Sequence, residues 1–204
     1  MIRKPSGYDE APAYTGEFQQ LPKGKYVCVI KQVATMNSKN GNEQFVILYD
    51  IAEGEYKDFY QKMFDADKSQ NPSEAKWRGV FKQNMDGKGT PWLKGIITSI
   101  ERSNNFIFPW DKEKNEATLK GKRFGGIFWR RQYQKDDGSR PIITELYRIR
   151  SVASLAEAEI PEDSLLPETQ DTRPDPAQAE TPSFVGDGFM NIPDGIGDNG
   201  IPFL

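Results

Sequence analysis

Two β-rich segments joined by a turn signal constrain the fold of this chain most strongly. The segments KYVCVIKQVA at 25–34 and EQFVILYDIA at 43–52 are rich in β-branched and aromatic residues, which favour strands. Between them, TMNSKNGN at 35–42 contains Asn40-Gly41, a dipeptide typical of tight hairpin turns. The sequence therefore predicts an antiparallel β-hairpin at the start of a folded domain.

A third strand is predicted directly after this hairpin. Glu53-Gly54 indicates a turn, and EYKDFYQKMF at 55–64 follows it with aromatic residues at alternating positions. On this interpretation Tyr56 and Tyr60 share one face of the strand. We expect these two rings to be the more accessible aromatics of the second and third strands.

Helical spacing replaces the strand pattern after residue 70. Ser73 is a good N-cap, and apolar residues then recur at the spacing of one helical face, at Trp77, Val80, Phe81 and Met85. After a break at 86–89, Thr90-Pro91 predicts the start of a second helix that extends to about residue 102. Its apolar stripe is Trp92, Ile96 and Ile100. Trp77 and Trp92 are both expected in the core.

Two further strands complete the predicted domain. LKGKRFGGIFWRRQYQ at 119–134 is the fourth strand, KDDGSRP at 135–141 a turn, and IITELYRIR at 142–150 the fifth strand. The order β-β-β-α-β-β is that of the OB-fold, a Greek-key barrel that binds oligonucleotides. The predicted fold class is therefore mainly β: a five-stranded OB-fold-like barrel with a helical insertion between strands three and four.

Charge divides the chain into a basic body and an acidic tail. Residues 1–150 carry 26 Lys/Arg and 19 Asp/Glu, whereas residues 151–204 carry one basic residue and 11 acidic ones. The second part is rich in Pro, Glu and Asp and is predicted to be disordered. We therefore divide the chain into an N-terminal arm at 1–20, an OB-like nucleic-acid-binding domain at 21–150 and a disordered acidic tail at 151–204. The charge division favours nucleic-acid binding, although an acidic tail also aids solubility.

Composition excludes several kinds of active site. The chain has no His and one Cys, so it has no Ser-His or Cys-His pair and no His- or Cys-based zinc site. Nothing resembles a paired acid/base site or a P-loop, and we predict no enzymatic activity, no cofactor and no metal site. We predict no signal peptide and no membrane span. Cys28 alone forms no internal disulfide, which fits a reducing cytoplasm.

The fourth strand contains the best candidate binding residues. Alternate positions put Phe124, Gly126 and Phe128 on an interior face, and the opposite face then carries the predicted strip, which consists of Arg123, Trp129, Arg131 and Tyr133. Bases stack on aromatic rings, and Lys and Arg neutralise phosphates. We therefore predict that this strip binds single-stranded nucleic acid.

Other candidate residues lie on the adjoining loops and on the third predicted strand. Lys39, with Asn40 and Asn42, lies in the first turn, and Lys135 and Arg140 lie in the last. The loops joining strands one to two and four to five of an OB-fold contact its ligand. The predicted third strand adds Tyr56, Tyr60 and Lys62.

The C-terminal residues GDNGIPFL resemble the acidic, glycine-rich tip of bacterial and phage single-stranded-DNA-binding proteins, which ends in Ile-Pro-Phe. The body at 21–150 is similar to phage and prophage proteins of Gram-positive bacteria that act in replication and recombination. This resemblance implies a protein of the host cytoplasm that binds single-stranded DNA and recruits replication, recombination and repair proteins through its tip. Leu204 follows Phe203, so we expect the terminal carboxylate to belong to Leu rather than to Phe. The residues implied in partner binding are Asp198, Ile201, Pro202 and Phe203.

Three alternative functions are consistent with the same sequence. An RNA-binding module uses the same stacking chemistry. A small metal-dependent nuclease requires carboxylates that cluster in space, and a phage adaptor binds protein only. The oligomeric state is open, and a homo-oligomer is one alternative. The negative charge of the tail leads to the hypothesis that the tail competes with DNA for the basic body.

Overall fold

The computed structural model describes residues 3–9 and 20–167 of the chain. Five strands and two helices make up the body, together with short 3-10 turns at Gly87–Gly89 and Asn115–Leu119. The elements in chain order are β1 (Gly24–Asn37), β2 (Glu43–Ile51), α1 (Phe59–Gln70), β3 (Val80–Asn84), α2 (Thr90–Asn104), β4 (Arg123–Gln132) and β5 (Ile142–Arg150).

The strands form one antiparallel sheet in the order β3-β2-β1-β4-β5. The long central strand β1 pairs with β4 along Gly24–Val29 and with β2 along Cys28–Asn37. A register shift between Ile30 and Gln32 interrupts the β1–β2 ladder, as a β-bulge does. The fold is therefore mainly β, with an open sheet in which β3 and β5 are the edge strands.

One face of the sheet packs against both helices. Tyr49, Phe124 and Phe128 are almost completely buried, and the Tyr49 ring contacts both phenylalanine rings edge to face at centroid distances of 6.0 and 5.9 Å. The predicted interior positions Phe124 and Phe128 are thus confirmed. Helix α2 packs against β3 at one edge and against β4 and β5 at the other.

The predicted third strand at 55–64 is wrong: this segment is a turn followed by α1. Phe59, Tyr60, Met63 and Phe64 have the spacing of one helical face, and Phe59 and Tyr60 are buried. Strand propensity of aromatic residues led to the wrong assignment. The start of the helix is fixed from a distance, because the buried carboxylate of Asp50 accepts the backbone N–H groups of Tyr60 and Gln61 at 2.9 and 3.1 Å.

The helix predicted after Ser73 is also wrong, because β3 occupies this part of the chain. The indole Nε1 of Trp77 donates to the carbonyl of Tyr49 at 3.1 Å, and the N–H of Tyr49 donates to the carbonyl of Gly79 at 2.8 Å. These bonds bring the segment to the edge of β2, and Val80–Asn84 continues as a paired strand. Local helical spacing is overridden by this non-local pairing.

The second predicted helix is confirmed as α2, with Pro91 in its first turn. Ile96 and Ile100 are buried together with Leu93 and Ile97. The expectation for Trp92 is wrong, since this side chain is 51% exposed. Trp92 directly precedes buried Leu93 but lies outside the buried stripe of α2.

Residues 151–167, which the sequence analysis assigned to the tail, pack against the sheet and are here named the strap. Leu155 is buried, and the backbone of Ser164 forms an isolated parallel bridge with Arg131. Two backbone hydrogen bonds of 2.8 and 2.9 Å join Ser164 to Gln132 and Arg130. The remainder of the predicted tail, with Asp198, Ile201, Pro202 and Phe203, lies outside the described residues. No helix in 3–9 or 20–167 combines the length and apolar character needed to span a bilayer.

Candidate nucleic-acid interface

Trp129 of β4 and Tyr147 of β5 form the aromatic centre of the candidate interface. Their ring centroids lie 4.6 Å apart, with 45° between the ring planes. A register shift gives Ile127 and Phe128 the partners Arg148 and Leu146, so Tyr147 is an extra residue on β5. This β-bulge re-aims the strand locally, as bulges next to binding sites do. Tyr147 is exposed and Trp129 is half-buried.

The Glu145 carboxylate fixes the side chains of Trp129 and Arg131 by hydrogen bonds. Glu145, the cross-strand partner of Trp129, accepts a hydrogen bond from Arg131 Nε at 2.7 Å and one from Trp129 Nε1 at 3.3 Å. The Arg131 guanidinium also lies 5.8 Å from the ring centroid of Tyr133. A guanidinium has five N–H donors, so Arg131 retains donors for a phosphate while Glu145 fixes its orientation.

A second arginine extends the group towards α2. The Arg148 guanidinium lies 5.0 Å from the ring centroid of Tyr147 and 5.2 Å from that of Trp92, within the range of cation–π contacts. We name the residues Trp92, Trp129, Arg131, Tyr133, Glu145, Tyr147 and Arg148 the hairpin cluster. It combines four aromatic rings with two arginines and one carboxylate.

The hairpin cluster has the chemistry of a stacking platform. Exposed rings accept nucleobases whatever their sequence, and adjacent arginines bind the phosphates between them. The negative charge of Glu145 opposes phosphate binding, but with two arginines the net charge of the cluster is positive. Within the described ranges, no group of three His, Cys, Asp or Glu side chains is placed to hold a metal ion.

The structure divides the predicted strip of Arg123, Trp129, Arg131 and Tyr133. Arg123 lies at the start of β4 and forms an ion pair with Glu53 at 3.1 Å. Between Arg123 and Trp129, the strap covers β4, since a Cβ on Gly125 would lie 3.0 Å from Leu155 Cδ1. Gly125 and Ile127, which lie on the same face of β4 as the predicted strip, are buried and separate Arg123 from Trp129.

The predicted turn residues Lys135 and Arg140 lie beside the hairpin cluster in the chain. Lys135 is exposed and borders an open hollow with Tyr133, Asp136 and Asp137. Hydrogen bonds from the Ser139 hydroxyl and N–H lower the pKa of the Asp137 carboxyl. Arg140 donates to the carbonyl of Pro167 at 2.9 Å and so ties the end of the strap to this turn.

Lys39 lies far from the β4–β5 turn at 135–141, measured along the direction of the strands. It is exposed in the β1–β2 turn, which Ser38 closes by accepting from Gly41 and Asn42. Gly41 has a φ of +79°, the conformation that the Asn-Gly signal requires. Because β4 pairs with the first half of β1, the β1–β2 and β4–β5 turns lie at opposite ends of β1.

The interpretation of Tyr56, Tyr60 and Lys62 as one binding strand is wrong. Tyr60 is 6% exposed and packs edge to face on Tyr49 at 5.4 Å, and burial raises the pKa of its hydroxyl. Tyr56 is partly buried against Tyr26 and Phe59. Lys62 lies on α1 and donates to the carbonyl of Lys57 at 3.0 Å. These residues belong to the core and to the surface of α1.

Sequence reasoning missed Trp92, Tyr147 and Arg148 in the hairpin cluster. A cross-strand signal was available for Tyr147, because the turn at 135–141 brings the middle of β5 alongside Trp129. The bulge at Tyr147, next to Arg148, had no such signal. Trp92 was missed because its apolar spacing matched the core stripe of α2.

Comparison with protein-family models and with curated protein sequences finds no match to this chain. The geometry of the hairpin cluster therefore carries the functional interpretation.

Proposed function

We propose that this protein binds single-stranded DNA without catalysis, by stacking bases on the hairpin cluster and pairing phosphates with its arginines. The observation that carries the proposal is the contact between Trp129 and Tyr147, flanked in the chain by Arg131 and Arg148. Base–aromatic stacking is worth about 1–3 kcal/mol per base, which suits a binder that tolerates any sequence.

The strand order supports an OB-fold-like architecture for this binding domain. The sheet order β3-β2-β1-β4-β5, with α2 between β3 and β4 in the chain, is that of an OB-fold opened between β3 and β5. Helix α2 packs against strands at both edges, which favours a sheet curled towards a barrel.

The separation of the two basic turns favours a polymeric ligand. Lys39 and Lys135 lie in turns at opposite ends of β1, a strand of 14 residues. A ligand that contacts both turns as well as the hairpin cluster has to be extended. Single-stranded nucleic acid meets this requirement, with charge along its whole length.

The C-terminal tip supports a role in phage or prophage replication and recombination inside a bacterial host. Its Ile201-Pro202-Phe203 sequence, preceded by Asp198, resembles the docking tip of single-stranded-DNA-binding proteins. On this proposal the barrel binds DNA while the tip recruits replication or recombination proteins.

Fluorescence anisotropy of labelled 20-mers tests this function against its alternatives. We expect dT to bind with an affinity that falls steeply between 50 and 200 mM salt, as phosphate contacts require, and duplex DNA of the same length to bind more weakly. Tighter binding of rU than of dT would favour the RNA-binding alternative. No binding of any of the three would contradict the proposal and favour a protein-only adaptor.

A further inference from the structure

Asp163 of the strap pairs with two basic residues, Lys23 and Arg130, which lie outside the hairpin cluster. Its carboxylate accepts a hydrogen bond from Lys23 Nζ at 2.7 Å and one from the Arg130 guanidinium. Lys23 precedes β1, and Arg130 lies in β4. Both basic side chains remain more than 40% exposed, whereas the Asp163 side chain is 16% exposed. The Asp163 carboxylate therefore lies between the exposed cationic groups of Lys23 and Arg130.

The position of Arg130 relates this ion pair to the candidate interface. Arg130 stands between Trp129 and Arg131 in β4, and the backbone of Ser164 bonds to Arg130 and Gln132 on the free edge of that strand. Because side chains alternate along a strand, the Arg130 side chain leaves β4 on the face opposite to Trp129 and Arg131. A phosphate that reached Lys23 and Arg130 would thus extend the interface around this edge of β4.

The strap is acidic along its length, which distinguishes it from an ordinary packing segment. It carries Glu157, Glu159, Glu162 and Asp163 and no basic residue. Lys25 Nζ also contacts it, by donating to the carbonyl of Ala156 at 2.6 Å. Hydrogen bonds from Arg130 and then Lys23 lower the pKa of the Asp163 carboxyl, so this group is charged at neutral pH.

We propose that Lys23 and Arg130 form a binding site for a backbone phosphate of single-stranded nucleic acid, and that Asp163 occupies this site in the free protein. Carboxylate and phosphate oxygens accept the same charge-assisted hydrogen bonds from guanidinium and ammonium groups. The phosphate exchanges with the Asp163 carboxylate, while Leu155 and the backbone bonds of Ser164 keep the strap on the sheet. This inference rests on the proposed function, because it takes the ligand to be the same oligonucleotide.

Removal of the competing carboxylate tests the exchange. We expect Asp163→Asn to bind a dT 20-mer about three- to tenfold more tightly than wild type at 50 mM salt, because the phosphate then no longer has to displace a carboxylate from Lys23 and Arg130. The matched control is Glu162→Gln, which removes the same charge from the neighbouring residue, whose side chain is exposed. We expect less than a twofold change for Glu162→Gln.

A second pair of variants separates phosphate binding from simple tethering of the strap. In the Asp163→Asn background, Lys23→Gln and Arg130→Gln should each weaken binding and lower the slope of log K against log salt by about 1. If Lys23 and Arg130 only tether the strap, both substitutions will leave the affinity of the Asp163→Asn protein unchanged, and the inference is overturned. Thermal unfolding of each variant verifies that the fold is kept.

A measurement on the wild-type protein avoids any question of variant folding. The Asp163 carboxyl pKa, followed by NMR, should rise when a saturating dT 20-mer displaces it from Lys23 and Arg130. An unchanged pKa on a protein that binds dT would overturn this inference alone. A wild-type protein that does not bind dT would overturn the proposed function, and this site with it.

Discussion

The backbone N–H of Tyr60 lies 2.9 Å from Oδ1 of Asp50, a carboxylate that is fully buried at the end of β2. The same carboxylate accepts the N–H groups of Ile51 and Gln61, and Lys31 Nζ lies 3.8 Å from it. Asp50 thereby satisfies two of the N–H groups that the first turn of α1 leaves without intrahelical partners. A residue from the sheet thus determines where a helix begins.

The first prediction concerns the stability contributed by Asp50. We expect Asp50→Asn to lower the free energy of unfolding by about 1–3 kcal/mol, because an amide keeps one acceptor oxygen and leaves a buried N–H without a partner. Urea unfolding at pH 7 measures the difference. A variant as stable as wild type would show that α1 does not depend on this cap.

The pH dependence of this difference follows from the Asp50 pKa. Burial raises the pKa of Asp50 above its ordinary value of 3.8, although three backbone N–H bonds and Lys31 act in the opposite direction. The folded protein then binds the proton more tightly, so the contribution of Asp50 to stability falls as pH rises from 3.8 through the folded-state pKa. Wild type should therefore lose stability relative to Asp50→Asn between pH 4 and neutral pH. A gain over that interval would mean that the hydrogen bonds outweigh burial.

The second prediction separates a core tyrosine from an interface tyrosine. Tyr60→Ala should lower the free energy of unfolding by about 3–5 kcal/mol, as large-to-small substitutions of buried aromatic residues do. Tyr147→Ala should change stability little and weaken dT binding, since Tyr147 is exposed beside Trp129. Chemical unfolding and anisotropy titrations of both variants are the measurements. The reverse pattern would restore Tyr60 to the interface and remove Tyr147 from it.

The third prediction tests the approach of the Trp77–Gly79 segment to β2. A Cβ on Gly79 would overlap the carbonyl oxygen of Tyr49 and lie 2.8 Å from Tyr60 Cδ2. Gly79→Ala should therefore destabilise the domain by about 1–3 kcal/mol, the usual cost of overpacking. Gly95→Ala is the matched control, because Gly95 lies inside α2 and a Cβ added to it would meet no atom within 4 Å. Alanine there should stabilise the helix by about 0.5–1 kcal/mol. Equal effects of the two substitutions would contradict the described packing.

The fourth prediction concerns the stacking role of Trp129. Loss of a stacked base costs about 1–3 kcal/mol, so Trp129→Ala should weaken dT binding by about 5- to 150-fold. Trp110→Ala is the control, since Trp110 is 59% exposed but contacts Phe108 outside the hairpin cluster. It should change the affinity less than twofold. Similar losses in both variants would indicate dispersed, non-specific contacts with DNA.

Much of the sheet was predictable because its signals are local. The first two strands, the Asn40-Gly41 turn, the last two strands and α2 all follow from short-range patterns that the structure confirms. The two errors at 55–64 and after Ser73 have a common physical cause. In each segment a distant group, the Asp50 carboxylate or the Tyr49 backbone, decides the conformation.

The candidate site was predictable in part for the same reason. Alternation along β4 correctly separated Trp129 from the buried Phe128. The contact of Trp129 with Tyr147 depends on a bulge in β5. The burial of Gly125 depends on Leu155 and Ser151 of the strap, which pack against it. Neither feature has a pattern within its own segment, so sequence reasoning could not place them.

The central claim, that single-stranded DNA stacks on the hairpin cluster, is tested most directly by titrating the intrinsic tryptophan fluorescence with oligo-dT at 50 and 200 mM salt. We predict saturable quenching that is largely lost in Trp129→Ala and kept in Trp110→Ala, with a midpoint that moves to higher dT concentration at the higher salt. Tryptophan fluorescence that does not respond to dT, or quenching that is unchanged in Trp129→Ala, would contradict the claim.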